Sequence, residues 1–299
     1  MRLAAVIGVV GISYSAIFVR FAAVSPSTSA FFRCAYALPV LLGIWHLRRG
    51  DAPMHRRGLA FGAGIILGLD LFLWHHAIEM IGAGLSTVVG NSQVIVVALL
   101  AWAIHGERPS RLAGWVVPFV LGGIVLVSGL GHGDAYGARP VLGAAFGALT
   151  GILYGLFLVL YRHANRVRVH ASGPLLDATA GAACITLILG LAGGDLDLVP
   201  GFPAHGWLLA LALISQTAAW ICISTALPRL PALQTSILLL VQPVLTIVWG
   251  ALWCNEYLSS VQATGGLLVL GGVAALSVQG AMREHGVEAP ADKPGQSPD

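Results

Sequence analysis

Charge is what this chain has least of. Asp, Glu, Lys and Arg make up 10% of its 299 residues, against about 25% in a soluble domain. Apolar residues fill 57% of it and the mean hydropathy is +0.84. So little charge cannot cover the chain with polar surface, so lipid must cover it. The net charge of +3 is spread over several loops. There is no basic stripe interleaved with aromatics, which argues against nucleic acid as a partner. Cysteine is scarce too. Cys34, Cys184, Cys222 and Cys254 sit in apolar runs and no two form Cys-x-x-Cys, so no metal or redox site is signalled and the four read as small packing residues. His-Glu-x-x-His, Gly-x-Ser-x-Gly and a phosphate-cradling glycine loop are missing, as are long polar loops that could carry a catalytic head. The chain reads as a protein without a cofactor and not as an enzyme.

What is present is a stretch that occurs twice. From Ala83 to Gly129 the chain reads as an apolar helix, a polar turn at Gly106-Glu107-Arg108-Pro109-Ser110 and a second apolar helix; the same pattern returns 149 residues later, from Ala232 to Val278. Gln93 meets Gln242, Glu107 meets Glu256, Ser110 meets Ser259, and Gly122-Gly123 meets Gly271-Gly272. In a membrane protein such self-similarity marks a duplicated bundle with a site at the join.

A spanning helix needs about 20 mostly apolar residues. Ten segments qualify: 3–21, 27–47, 58–80, 83–105, 111–130, 141–162, 173–193, 205–226, 232–253 and 261–281. The first has an alternative reading as a signal peptide, since Arg2 precedes an apolar run and Ala22-Ala23 follows it. Its Ile12-x-Tyr14, echoed by Ile152-x-Tyr154 in the sixth segment, favours a retained helix. With the N-terminus in the cytoplasm, thirteen Arg and Lys fall inside and three, Arg20, Arg33 and Arg139, outside. That bias places both termini in the cytoplasm of a multi-pass inner-membrane protein. Five helices per half is an odd number, so the second half enters the membrane upside down. The fold expected is therefore an all-α polytopic membrane protein of ten transmembrane helices, arranged as two inverted five-helix repeats: residues 1–131, residues 141–281, and a disordered cytoplasmic tail over 282–299.

Glycine supplies the packing signal. Gly143, Gly147, Gly151 and Gly155 lie four apart on one face of the sixth segment, and Gly58 with Gly62 and Gly64 with Gly68 do so in the third. Small residues at that spacing let backbones approach closely in lipid. Packing within the chain is one use of these faces, a sliding surface during transport a second, and a homodimer a third.

Polar residues at membrane depth supply the candidate site. Asp70 lies mid-helix in the third segment, where a carboxylate costs about 2.5–3.5 kcal/mol unless it faces a cavity or a partner. It reads as a proton- or cation-coupling group or the contact for a substrate amine; the other reading is a structural hydrogen bond. Trp74 is one turn on, and His75 follows as a possible relay or as an interfacial histidine. Asn91 and Gln93 sit mid-helix but about 200° apart, so they cannot share a direction. The Gln93/Gln242 pair is the better pathway candidate. Pro243 should kink the ninth helix by freeing the carbonyl of Leu239. Gln216 and Trp220 share a face of the eighth segment, and Tyr14 and Tyr154 are repeat partners. For the aromatics, plain core packing is the competing reading. Glu107 and Glu256, each followed three residues on by Ser110 or Ser259, read as turn-and-cap residues of their hairpins.

Gln242-Pro243-Val244, Trp249 to Trp253, Asn255-Glu256, Leu258-Ser259, Gln262, Gly265 and Leu270-Gly271-Gly272 resemble the hallmark of the EamA-like family of drug/metabolite transporters. His105-Gly106-Glu107-Arg108 with Gly122-Gly123 resembles the same motif, with Val94 where the second copy has Pro243. The resemblance covers the whole chain. It implies two inverted repeats around a central cavity and transport of small metabolites, often export of amino acids and related compounds, driven by protons or exchange. The expected machine is alternating access around Asp70, Gln93 and Gln242, walled by Trp74, Trp220, Tyr14 and Tyr154. A lipid flippase or scramblase is the alternative, since a polar groove open to lipid needs the same residues.

Overall fold

The computed structural model describes residues 2–48, 56–105, 111–129, 135–164, 171–226 and 232–287. Among them every regular element is helical. In chain order they are α1 (Arg2–Ser13), α2 (Ser15–Ala22), α3 (Pro26–Ala35), α4 (Ala37–Arg48), α5 (Arg57–Gly90), α6 (Gln93–His105), α7 (Arg111–Val127), α8 (Pro140–Ala164), α9 (Ser172–Gly193), α10 (Phe202–Ala210), a π-helical segment Leu211–Ala219, α11 (Trp220–Ala226), α12 (Ala232–Cys254) and α13 (Ser260–Val287). In hydrocarbon a backbone must satisfy its own hydrogen bonds, and a helix does so within one segment.

Among the described residues, seven helical runs are long and apolar enough to cross a membrane: Leu3–Ala22, Pro26–Arg48, Arg57–Leu100, Pro140–Ala164, Ser172–Gly193, Phe202–Ala226 and Ser260–Met282. Two shorter apolar helices, Arg111–Val127 and Leu238–Cys254, accompany them. The 44 residues of Arg57–Leu100 would reach about 66 Å as one straight helix, roughly twice a bilayer core. They are not straight. Gly82 breaks the helix with φ +85° and ψ 169°, a region that only glycine enters freely. A second interruption follows at Asn91–Ser92, where the Asn91 side chain donates to the Thr87 carbonyl at 2.8 Å and bonds three residues apart tighten the turn. Helix α12 runs through Pro243 without a break. The expected kink at Pro243 is thus not an interruption, and the interrupted copy of the repeat is the one that carries Val94. Helix α13 continues to Val287, six residues into the stretch expected as tail; residues 288–299 lie outside the described residues, as do Glu107 and Ser110.

The glycine faces are spent on packing. On α8, Gly143 meets Met80 and Ile81, Gly147 meets Val89, Gly151 meets Ser92, and Gly155 meets Val96. Gly64 and Gly68 of α5 sit against the backbone of Ala178 and Ala182 in α9, whereas Gly58 and Gly62 have nothing near them. The doubled Gly-Gly motif works the same way. Gly123 and Gly272 lie in the contact between α7 and α13, and Gly122 and Gly271 face open space. Around this frame a central core cluster gathers Ile17, Leu41, Leu67, Leu71, Phe157, Leu175, Leu211 and Trp220 from both halves of the chain, with smaller clusters beside it. Large apolar side chains cover the outside: Trp115 is 74% exposed, Leu267 71% and Phe119 58%, as a lipid-facing surface requires.

Candidate functional site: a polar cavity at the core

Helices α1, α2, α3, α5, α6, α8, α11 and α12 and the turn at Asn91 line a cavity of about 70 Å³. It is lined by Ile12, Ser15, Arg33, Leu67, Asp70, Leu71, Trp74, Thr87, Gly90, Asn91, Gln93, Thr150, Tyr154, Trp220 and Gln242. Seven of the residues singled out from the sequence meet there: Asp70, Trp74, Asn91, Gln93, Tyr154, Trp220 and Gln242. Asn91 and Gln93 both reach it despite their spacing, because the turn at Asn91–Ser92 removes the 200° separation that a continuous helix would impose. The repeat partners Gln93 and Gln242 face the same space.

The cavity holds unsatisfied acceptors. Asp70 is 4% exposed, yet its Oδ1 has no hydrogen-bond partner, and neither has the Oε1 of Gln93. A buried acceptor left unpaired costs roughly 1–3 kcal/mol, more when charged, so these oxygens ask for a donor that the chain does not supply. Among the described residues no side chain or backbone group bonds Asp70 Oδ1. The walls are aromatic: Tyr154 and Trp220 meet edge to face at 6.4 Å, and Phe157 and Tyr161 continue the cluster behind them. The volume has room for a few water molecules and is well under the roughly 300–1,000 Å³ of a drug-sized site. This conformation is therefore constricted.

Three candidates lie elsewhere. Tyr14 marks the break between α1 and α2 and stacks on Trp249, centroids 4.8 Å apart and planes at 20°. Trp249 in turn donates to Ser13 Oγ at 3.1 Å. With Phe18, Phe21 and Trp207 this forms an aromatic column beside the cavity. Gln216 is fully buried in the π-helical segment, a geometry often found at functional positions, and reaches the cavity only through Arg33. His75 is fully buried and meets Ser29 Oγ through Nδ1 at 2.7 Å; it packs edge-on behind Trp74, centroids 5.4 Å apart, and is not itself part of the lining.

Arg33, an outer-side charge by the loop count, is buried within the bundle at 3% exposure. Its Nε donates to Gln216 Oε1 and its Nη1 to Ser15 Oγ, each at 2.8 Å. Its guanidinium lies 5.6 Å from the Trp74 ring centroid. Gln216 Nε2 donates onward to Thr179 Oγ1 at 3.2 Å. The available signal was position, since Arg33 falls inside the second apolar segment and not in a loop. A further regularity went unused. Asp70 and Trp74 recur 146 residues on as Gln216 and Trp220, and Arg33 recurs as Thr179.

The two turn glutamates were read as caps of their own hairpins. Ser259 does cap its own helix: its Oγ accepts from Gln262 N and the Gln262 side chain accepts from Ser259 N, both at 3.3 Å, a capping box. Glu256 caps a different helix. Its carboxylate accepts from the backbone N–H of Ala83 at 2.6 Å and of Gly84 at 3.0 Å, with Arg20 Nε 3.8 Å away. It fills the space left by the missing side chains of Gly82 and Gly250. The second copy of the repeat thus holds the broken helix of the first.

The duplicated helices around a polar core are matched by the model of the EamA-like transporter family, which fits this chain twice, over residues 2–129 and 141–278. The chain belongs to the EamA-like transporter family. It is 33% identical over 254 residues to an uncharacterised protein of Pseudomonas aeruginosa, covering 84% of this chain and 83% of that one. An uncharacterised transporter of Synechocystis is 27% identical across 74% of this chain and 66% of its own length. The uncharacterised transporter YcbK of Bacillus subtilis is 23% identical across 87% and 86%. A crystal structure at 17% identity superposes with a TM-score of 0.61 over 94% of this chain and 97% of its own, which shows a shared fold. This EamA-like protein is a multi-pass membrane transporter.

Proposed function

We propose that this transporter carries a small polar metabolite, an amino acid or related compound, out of the cell by alternating access around the Asp70 cavity, coupled to protons or to exchange. The observation that carries the reading is the unpartnered Asp70 Oδ1 beside the unpartnered Gln93 Oε1 in an aromatic-walled cavity. A solute with N–H donors supplies what those oxygens lack, and the faces of Trp74, Tyr154 and Trp220 suit its apolar part.

In this reading Gly82 divides the Arg57–Leu100 run into two spans, and with the two shorter apolar helices the count becomes ten. The family match to both halves supports two five-helix repeats. Both termini then lie in the cytoplasm of a cell-membrane protein, an assignment resting on loop charge. The repeats rock against each other about the cavity. The column of Trp249, Tyr14, Phe18 and Trp207 closes one end, and its parting opens that end. Proton coupling, where it operates, runs through Asp70, the one candidate coupling group that faces the cavity; His75 does not.

A thermal-shift screen of the purified full-length protein tests the reading, with amino acids, polyamines, nucleosides and phospholipids as probes. A ligand at a hundred times its Kd adds about 2.7 kcal/mol of apparent stability. The expected result is a rise with one class of small amine-bearing solute that Asp70→Asn abolishes. A rise confined to phospholipid, or one that Asp70→Asn leaves intact, contradicts it.

A further inference from the structure

Arg33 lines the same cavity as Asp70, yet the reading above gives it no task. Its position is built. Ser15 and Gln216 hold two of its nitrogens, Thr179 holds Gln216, and the Trp74 face lies alongside. Arg33 lines one cavity with Asp70, but no hydrogen bond or ion pair joins the two. Among the described residues Asp70 Oδ1 is left without a partner, and the side-chain bonds of Arg33 run from Nε and Nη1. A buried guanidinium and a buried carboxylate close enough to interact would ordinarily pair. Here the guanidinium is tied to neutral acceptors on α2 and the π-helical segment and is kept off the acid.

We propose that Arg33 sets the charge selectivity of this cavity: it balances Asp70, so that the site takes a net-neutral solute with a positive and a negative end and turns away organic cations. The inference rests on the reading of the cavity as the substrate site and deepens it. The positive end of the solute meets Asp70, and the negative end meets the free edge of Arg33. The planar fork of Arg33 is already oriented by Ser15 and Gln216 and loses little freedom on binding. An amine without a compensating negative group would bring a second positive charge beside Arg33 in a poorly screened interior, where like charges repel strongly. Without Arg33, Asp70 would hold any cation small enough to enter.

Matched series of solutes test this on the full chain, by ligand-induced melting shifts in detergent and by competition for uptake in proteoliposomes. Phenylalanine is compared with phenethylamine, which lacks the carboxylate, and with 3-phenylpropanoate, which lacks the amine; leucine is compared with its two counterparts. Wild-type protein should favour the zwitterion over the amine. Arg33→Gln should move the zwitterion-to-amine affinity ratio toward the amine by about tenfold or more. Arg33→Lys, which keeps the charge, should preserve the preference. Asp70→Asn leaves Arg33 unbalanced and should move the preference toward the carboxylate, which tests the charge balance even if Arg33→Gln folds poorly. A wild-type protein that takes the amine as well as the zwitterion, or that ignores every member of both series, overturns the proposal. An unchanged ratio in Arg33→Gln also overturns it. If Asp70→Asn at the same time abolishes binding, the substrate site stands and only the role of Arg33 falls.

Discussion

Replacing Glu256 by alanine should weaken the whole bundle, though the residue touches neither the cavity nor any apolar core. Its carboxylate accepts from the N–H groups of Ala83 and Gly84 at the helix break, and the residue is 4% exposed, so water cannot readily replace it. Each buried N–H left without an acceptor costs about 1–3 kcal/mol, so the pair costs roughly 2–6 kcal/mol. At about 2–4 °C per kcal/mol, the melting point should fall by at least about 4 °C. Glu256→Gln keeps one acceptor oxygen but turns an NH2 group toward the other N–H, so it should recover no more than about half of the loss. Gly82→Ala strikes the same joint from the other side. It places a Cβ on the Glu256 carboxyl group and forces a side chain into φ +85°, at a cost of about 1–3 kcal/mol in backbone strain alone. The assay is thermal unfolding of the detergent-purified protein, followed by intrinsic fluorescence and by the monodisperse fraction after heating. Because the two changes break one contact, the double variant should lose clearly less than the sum of the singles. A Glu256→Ala protein that melts with wild type, or strict additivity with Gly82→Ala, would refute the capping argument.

The glycine faces give a paired prediction. Gly64→Ala should destabilise by about 1–3 kcal/mol by overpacking the Ala178 backbone, while Gly58→Ala, with open space around it, should be neutral or gain up to about 1 kcal/mol in helix propensity; melting scans of the two decide it. Arg57 meets Asp177 with two hydrogen bonds of 3.1 and 3.0 Å, but its side chain is 53% exposed. A double-mutant cycle on the pair should therefore return no more than about 1 kcal/mol of coupling. Gln262→Ala removes half of a capping box and the acceptor for Tyr136 N; it should lower stability by about 1–2 kcal/mol and leave solute selectivity unchanged in the matched-series assay.

The sequence made the helices legible because hydropathy is a local property. Among the described residues the apolar segments fall largely on helix, and seven helical runs are long and apolar enough to cross a membrane. The cavity was legible for a related reason, since a carboxylate or carboxamide in hydrocarbon must face something polar. Asp70, Gln93 and Gln242 accordingly meet in one space. What could not be read was long-range. Glu256 lies 173 residues from the N–H it caps, and nothing near it in the chain names Ala83. Arg33 was counted as a loop charge because counting assigns charges by sign and side, whereas its place depends on Ser15 and Gln216 arriving from other helices. Tyr14 and Tyr154 shared a motif but not a fate: the break after Ser13 turns Tyr14 onto Trp249, while Tyr154 stays on an unbroken helix and faces the cavity. Helix α12 stays continuous through Pro243, since proline removes one bond that the rest of the helix outlasts, whereas α5 ends at Asn91, whose side-chain amide takes a backbone carbonyl.

The measurement that bears most directly on the account is counterflow in proteoliposomes, using whichever solute raises the melting point most. Vesicles preloaded with unlabelled solute should draw labelled solute in transiently above its equilibrium level, as a carrier with one alternately exposed cavity must, and Asp70→Asn should abolish the overshoot. Labelled solute entering at the same rate with and without preloading, and never overshooting, would mean an open pore and would contradict the central claim.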